Sequence, residues 1–274
     1  MPALGVNSTH GQDSWSTTLI EALSLESAVL RAGARRIVAE GRIVHVPRIL
    51  VAPAADWVAE GADLPSDAGS ADQLVLTPKK LGNVIALSNE SIEDAPINEL
   101  DAVGRSMVRG VATKLDARFF SNSAVSSVAP AGLLNTTAYS LPSATGSGIT
   151  ITRIFGAIGA IAAVGGVADT VFISAADRTA VQLETLTSGY KLTTDPTQPG
   201  VEYIGGARLI VAPLTAGTAV VCQADYIALA VRRDASVQFS DQNAFTSDET
   251  VARVTMRVDY APSDLNAFYV LKPA

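Results

Sequence analysis

Apolar residues recur along this 274-residue chain in two periods, and the switches between them mark the elements. Helical spacing comes first: Leu19, Leu23, Leu25 and Leu30 predict a helix over residues 16–30, with Ser16 as its N-cap and Gly33 as its stop. Short Ile- and Val-rich extended segments follow at 36–40 and 42–51. The longest helical signal covers 98–120, where Leu100, Val103, Met107, Val111, Leu115 and Phe119 recur at three or four residues and build one apolar stripe. Asn98 with Asp101 three residues on resembles a capping box. Gly104 and Gly110 each cost about 1 kcal/mol inside such a helix, which points either to close approach of another backbone or to simple tolerance.

The second half of the chain is mixed. Residues 121–148 are rich in Ser, Thr, Gly and Pro and read as a boundary. Beyond them the pattern predicts helices at 150–164 and 175–186, with strands at 170–173, 208–212, 219–222 and 227–231. Near the C-terminus, Ala252, Val254, Met256, Val258 and Tyr260 alternate with Arg253, Thr255, Arg257 and Asp259, the signature of a strand with one wet face. A final strand covers 266–271. Together these elements predict an α+β fold.

Between the two early extended segments and the long helix lies the least ordinary stretch. Residues 52–72 form a loop of about twenty residues where four to six are usual. It carries Asp56, Glu60, Asp63, Asp67 and Asp72, no basic residue, and Trp57. Flanked by extended chain at 42–51 and 73–87, it is the broad tip of a long β-hairpin. A Trp kept in so acidic a loop either docks on a neighbour or packs within its own chain. A short helix capped by Ser88 and a turn at Asp94-Ala-Pro then lead to the long helix. Residues 1–13 are polar and without periodicity, and read as a flexible arm.

Composition narrows the function. Hydrophobic residues at 48% with charged residues at 17% exclude a disordered chain. No run of about 18 uncharged apolar residues is present, so no membrane span is expected. The net charge of −7 argues against a grip on nucleic-acid phosphates, and the series Arg31, Arg35, Arg36, Arg42, Arg48 reads as a strand edge. Cys222, the single cysteine, lies in an apolar run and reads as a small buried hydrophobe. An N-terminus without signal-peptide features points to folding in a reducing cytoplasm.

The search for chemistry finds little. Gly156, Gly159, Gly165 and Gly166 match neither a phosphate loop nor the dinucleotide fingerprint, and read as packing glycines. His10 and His45, the only histidines, have no nucleophile or ligand set beside them. Glu93 with Asp94, and Asp225, read as solvated caps. No catalytic residue, cofactor or metal is assigned, and the chain reads as a non-enzyme. An arm, a projecting hairpin and a long helix are parts for contacting further copies of the same chain.

The order of residues is also familiar. Ala55-Asp56-Trp57-Val58-Ala59-Glu60-Gly61-Ala62-Asp63-Leu64-Pro65 resembles the extended-loop motif of HK97-type major capsid proteins of tailed bacteriophages. Leu76-Thr77-Pro78-Lys79-Lys80-Leu81 and Leu87-Ser88-Asn89-Glu90 follow in the family's order, with Ile92, Glu93 and Asp94. Leu115-Asp116-Ala117-Arg118-Phe119-Phe120 and Pro130-Ala131-Gly132-Leu133-Leu134 resemble the end of its spine helix and the turn after it. Ala252-Arg253-Val254, Arg257-Val258-Asp259 and Ala267-Phe268 resemble its closing strands. The ordered set covers residues 16–271.

The resemblance implies an HK97-like capsid fold: an N-arm at 1–14, and a peripheral domain at 15–131 that contains an E-loop hairpin at 42–87 and a spine helix at 98–120. An axial domain at 132–231 and peripheral return strands at 232–274 complete it. It implies a non-enzymatic subunit that forms pentamers and hexamers of an icosahedral shell around double-stranded DNA, bound without sequence specificity, assembled in the host bacterial cytoplasm and located in the virion. A portal and a decoration protein are implied partners, and because no long charged helical segment precedes the arm, scaffolding is expected to be either a separate protein or unnecessary, with a separate protein the favoured reading. Some family members weld the shell by an isopeptide bond from an E-loop lysine. Here the lysines are Lys79, Lys80, Lys114, Lys191 and Lys272, none in the loop tip, so the expected shell is non-covalent. The expected inter-subunit contacts are Trp57 as anchor and Glu60 as partner of a neighbour's arginine, with Arg48, Lys79 and Lys80. An encapsulin compartment that loads enzymes is the alternative within the fold, and a soluble α/β enzyme or ligand-binding protein the alternative outside it.

Overall fold

The computed structural model describes residues 26–51, 57–58, 61, 63, 70–90, 99–188, 192–194, 200–240 and 248–274. Its strands form a four-stranded sheet, a seven-stranded sheet and a two-stranded ribbon. One long helix, α2 (Glu99–Phe119), lies in the core that the two larger sheets share.

The chain reaches that core early. Ser27 has extended backbone, and its hydroxyl caps the short helix α1 (Ala28–Arg31) by accepting from the Leu30 amide. The expected helix at 16–30 is therefore broken at Ser27, and its proposed cap Ser16 lies outside the described residues. The break has a cause in α2. Buried Asp116 accepts from the Ser27 hydroxyl at 2.6 Å, the Ala28 amide at 2.6 Å and the Val29 amide at 3.4 Å, so a carboxylate from the long helix satisfies the exposed amides of the short one.

β1 (Arg35–Val38) is one edge of the four-stranded sheet, ordered β1-β11-β12-β4, with β4 (Lys79–Ser88), β11 (Ile227–Ser240) and β12 (Glu249–Pro262). β11 runs nine residues past the expected end at 231. Its pairing with β12 shifts register between Val231 and Ser236, and there it changes from burial on both faces to one buried face. The alternation expected in β12 holds from Ala252 to Val258. It fails at Asp259, which is buried and accepts from the Thr77 amide at 2.6 Å and the Tyr260 amide at 2.8 Å. That half of the sheet is covered on its second face by the base of the ribbon.

The ribbon pairs β2 (Val44–Val51) with β3 (Ser70–Leu76). The expected 42–87 hairpin is thus shorter, spanning 44–76. Pro78 lacks a ladder donor and the Thr77 amide is turned to Asp259, so the chain leaves the ribbon and starts β4 in another sheet. Leu76 of the ribbon is buried against Ala228, Ala230 and Ala261, with Val44, Val46 and Tyr139 around them. Burial raises the Tyr139 hydroxyl to about 12.

The seven-stranded sheet has the order β5-β13-β10-β6-β9-β8-β7: β5 (Ser143–Gly146), β6 (Thr170–Ile173), β7 (Thr193–Thr194), β8 (Glu202–Ile204), β9 (Ala207–Val211), β10 (Ala219–Cys222) and β13 (Phe268–Pro273). Sheet membership divides the chain at different points from those expected. β11 enters the four-stranded sheet at Ile227, ahead of the expected boundary at 231/232, and β13 returns to the seven-stranded sheet. β6 and β10 are buried on both faces, as a sheet sandwiched between layers requires. One face meets α3 (Ile151–Ala163) and α4 (Ala175–Ser188). Cys222 is on the other, fully buried, and burial raises its thiol well above the ordinary range.

Thr150 caps α3, accepting from the Arg153 amide. After Ala163 the Gly165 amide donates to the Ala162 carbonyl and the Gly166 amide to the Ile161 carbonyl, with Gly165 at φ +85, a Schellman-type stop. The packing reading therefore fails for most of these glycines. Gly165 is a helix stop, and Gly156 and Gly159 are exposed, where an added Cβ would meet no described atom within 4 Å. Of the four, only Gly166 is tightly packed, its Cβ position 2.8 Å from Ile161 Cγ2. In α2, a Cβ on Gly110 would stand 3.2 Å from Asn83 Nδ2, whose amide donates to the Met107 carbonyl, while one on Gly104 would meet no described atom.

The end of α2 joins the layers. Phe119 packs edge-on with Phe120 and with Tyr260 of β12, and Phe120 packs on Phe172 of β6, each at 4.9 Å between ring centres. The carbonyls at the helix end are taken by the returning chain: the Leu133 amide donates to Phe119 O at 2.7 Å and the Leu134 amide to Ser121 O at 3.2 Å. A Cβ at Gly132 would fall 1.9 Å from Ser121 O, so that return needs glycine.

Three outcomes are expected. Phe119→Ala opens this junction and should cost the subunit about 3–5 kcal/mol, read by urea unfolding; an unchanged midpoint would dismiss the junction. Asp116→Ala strands two amides and a hydroxyl, an expected loss of about 2–4 kcal/mol. Burial also raises the Asp116 carboxyl in the folded chain against the pull of its donors. The folded state then holds that proton more tightly than the unfolded one, and stability from this group declines as pH climbs from about 4 through the raised value. Asp116→Asn should remove that part of the slope.

Candidate functional site

The ribbon is where the sequence-predicted contact residues gather, and its two ends differ. A two-stranded ribbon is marginal by itself in water. At its base Leu76, Val44 and Val46 anchor it on the four-stranded sheet, while His45 and Val75, paired between them, are exposed on the opposite face. At the tip Trp57 is 101% exposed, and Asp63, further along the loop, is exposed as well. Packing of the indole into its own core, one of the two readings of Trp57, is therefore not what the fold does.

Glu60 lies outside the described residues. Arg48 is in β2 directly opposite Asp72 of β3, and its guanidinium donates to the Asp72 carboxylate at 2.6 Å. That hydrogen bond, with a second from the Gln73 amide, holds the Asp72 carboxyl below its ordinary value. Arg48 and Asp72 thus stiffen their own ribbon.

Lys79 and Lys80 stand on β4, in register with Val258 and Arg257 of β12. They open onto a cavity of about 320 Å³ whose opposite wall is the last turns of α2 and the segment after it, with Lys114, Arg118, Val128 and Pro130. Pattern reading misses Lys114, Arg118 and Tyr260 as members of this site, because along the chain the lysine pair falls at the foot of the hairpin, far from all three. The signal available is the scarcity of lysine: three of the five in the chain meet here.

Among the described residues no group of three or more His, Cys, Asp or Glu stands close enough to hold a metal ion, and no helix is long and apolar enough to cross a membrane. The arrangement as a whole offers contact surfaces: a ribbon whose acidic loop presents an exposed Trp57, and a cationic cavity at its foot.

Comparison with known proteins agrees in kind. A model of the phage capsid family matches residues 12–272. Among solved structures, a chain from Microbacterium phage Oxtober96 superposes with a TM-score of 0.71 at 19% identity, over 90% of this chain and 91% of that one. The capsid of an empty GTA particle gives 0.70 at 19% identity, over 90% of both chains. A holo-SrpI encapsulin complex from Synechococcus elongatus PCC 7942 gives 0.65 at 13% identity, over 89% and 86%. No curated protein sequence matches.

Proposed function

The chain belongs to the phage capsid family and carries an HK97-like α+β fold, which makes it a shell-forming structural protein, and from that premise we propose that it closes pentamers and hexamers into an icosahedral shell around double-stranded DNA. The observation that carries this reading is the β2–β3 ribbon, which joins neither large sheet and ends in a fully exposed Trp57. An extended ribbon with open edges and an exposed indole is stabilised by a neighbour's surface, and copies related head to tail close into rings.

In this assignment the ribbon is the E-loop and α2 the spine helix. The four-stranded sheet belongs to the peripheral domain, and the seven-stranded sheet with α3 and α4 to the axial domain around the capsomer centre. The net charge of −7 supports a wall over which packaged DNA slides without sticking. Scaffolding and portal proteins complete assembly in the host cytoplasm, and a decoration protein adds to a shell whose ribbon contacts are intrinsic to the subunit. The likeness to an encapsulin complex favours a second reading, a compartment that loads enzymes, which differs in contents and not in geometry.

Electron microscopy and light scattering of the expressed chain test the proposal. Closed shells or capsomer rings are expected, and the nucleic acid or enzyme inside native particles separates capsid from compartment. A subunit that stays monomeric at high concentration, with and without the neighbouring gene products, would refute it. Trp57→Ala should leave the fold intact and raise the concentration needed for assembly at least about tenfold, as loss of a buried aromatic anchor does; normal yields of full-sized shells would remove Trp57 from the contact. Boiled particles on SDS gels should run as single subunits, because no lysine lies in the tip; a ladder of covalent multimers would overturn the non-covalent shell.

A further inference from the structure

Four cations surround the cavity at the foot of the ribbon, Lys79, Lys80, Lys114 and Arg118, and among the described residues no carboxylate lines it. None of the three lysines forms an ion pair with a described residue. Asp259 acts on Lys79 through space, but its oxygens are taken by the Thr77 and Tyr260 amides. Arg118 is fixed without being neutralised: it donates to the carbonyls of Pro130 at 2.8 Å and Ala124 at 2.7 Å. Tyr260 also lines the cavity. It is 2% exposed, its hydroxyl has no hydrogen-bond partner among the described residues, and it feels the Arg118 charge. Buried hydroxyls are as a rule paired, so one left over beside uncompensated cations is a donor waiting on an acceptor.

We propose that this cavity receives a carboxylate from residues 56–67 of a second copy of the chain. The inference rests on the shell-forming reading above and names the receptor for the ribbon tip. Charge complementarity selects the occupant: residues 52–69 hold Asp56, Glu60, Asp63 and Asp67 and no Lys, Arg or His. Asp72, the remaining acid of the loop, is already paired with Arg48. Between the cations the walls are apolar, with Leu81, Val128 and Pro130, which suits a segment that interleaves carboxylates with Trp57, Val58 and Leu64. Geometry makes the contact intermolecular. β3 carries the tip roughly 20–25 Å away from Leu76 at about 3.3 Å per residue, whereas Lys79 follows Leu76 by three positions. Tip and cavity of one copy are at opposite ends of a ribbon braced by its Arg48–Asp72 pair, so each tip meets the cavity of the next copy, a heterologous contact that repeats around a ring. A nucleic-acid backbone is the poorer fit, because its evenly spaced phosphates call for an extended strip of cations, whereas these four cations gather around one cavity between β4 and the end of α2.

The test reverses charge on both sides. Lys80 and Lys114 are exposed, so Lys80→Glu with Lys114→Glu should keep the fold, checked by circular dichroism and thermal melting. It should raise the concentration for half-assembly at least about tenfold. Glu60→Lys with Asp63→Lys should do the same, and a chain carrying all four changes should recover to within about threefold of wild type, the mark of a direct coupling. Tyr260→Phe should weaken assembly several-fold with the monomer no less stable, and Lys114→Gln should weaken it in the same direction without introducing repulsion. Wild-type assembly by the cavity variants, or a fourfold variant no better than the cavity pair, overturns the assignment. Normal shells that fail to retain DNA would also overturn it, placing phosphate in the cavity instead. Wild type is read first: if it forms neither rings nor shells, the shell-forming reading falls and this one with it, whereas assembly by both wild type and variants removes the cavity alone.

Discussion

Everything in this subunit depends on how the end of α2 is held. A helix end presents carbonyls without partners and a single apolar stripe, and here it is buried between two sheets. The fold meets both demands within a few residues. Phe119 and Phe120 point to different layers, Tyr260 on one side and Phe172 on the other. The return through Gly132 supplies amides to Phe119 O and Ser121 O. At the same level Asp116 reaches across to start α1. One turn of helix therefore fixes the angle between the sheets, the path of the entering chain and the path of the leaving one. Interiors are too closely packed to deform continuously, so that junction holds the two sheets in one arrangement.

Much of this is legible in the sequence, and the part that is not has a common cause. The stripe from Val103 to Phe119, the strand at 170–173 and the helix expected at 150–164 are local patterns, and the structure keeps them. The errors lie where a distant residue decides. Ser27 breaks a good helical pattern because Asp116, 89 positions away, satisfies the amides that follow. Asp259 has the spacing of the wet side of a strand, but the base of the ribbon covers it and the Thr77 amide uses it. The same amide ends the ribbon at Leu76, so the hairpin cannot be bounded correctly without knowing that contact. β11 continues past Val231 through a register shift that polar residues 232–234 conceal.

The contact residues follow the same rule. Trp57 stands out because a large apolar side chain in an acidic loop contradicts its surroundings, and exposure at the tip bears on that contradiction directly. Arg48 does not announce its partner, since cross-strand pairing with Asp72 depends on register. The cationic cavity is beyond reach because its residues come from three separate stretches, 79–80, 114–118 and 260, that only the packing of α2 against β4 and β12 brings together.

The charge distribution then acquires a physical sense that net charge hides. A chain with seven excess negative charges would repel its copies, yet assembly needs them in contact. Concentrating scarce lysines at the foot of the ribbon and leaving the tip with carboxylates alone turns a uniform repulsion into a polar one, attractive only when copies meet head to tail. Such pairing contributes more to register and partner choice than to raw affinity, which comes from apolar groups such as Trp57 leaving water. Because the cations sit at the helix end that joins the layers, the junction that holds the subunit together also holds the receptor for the next copy's tip.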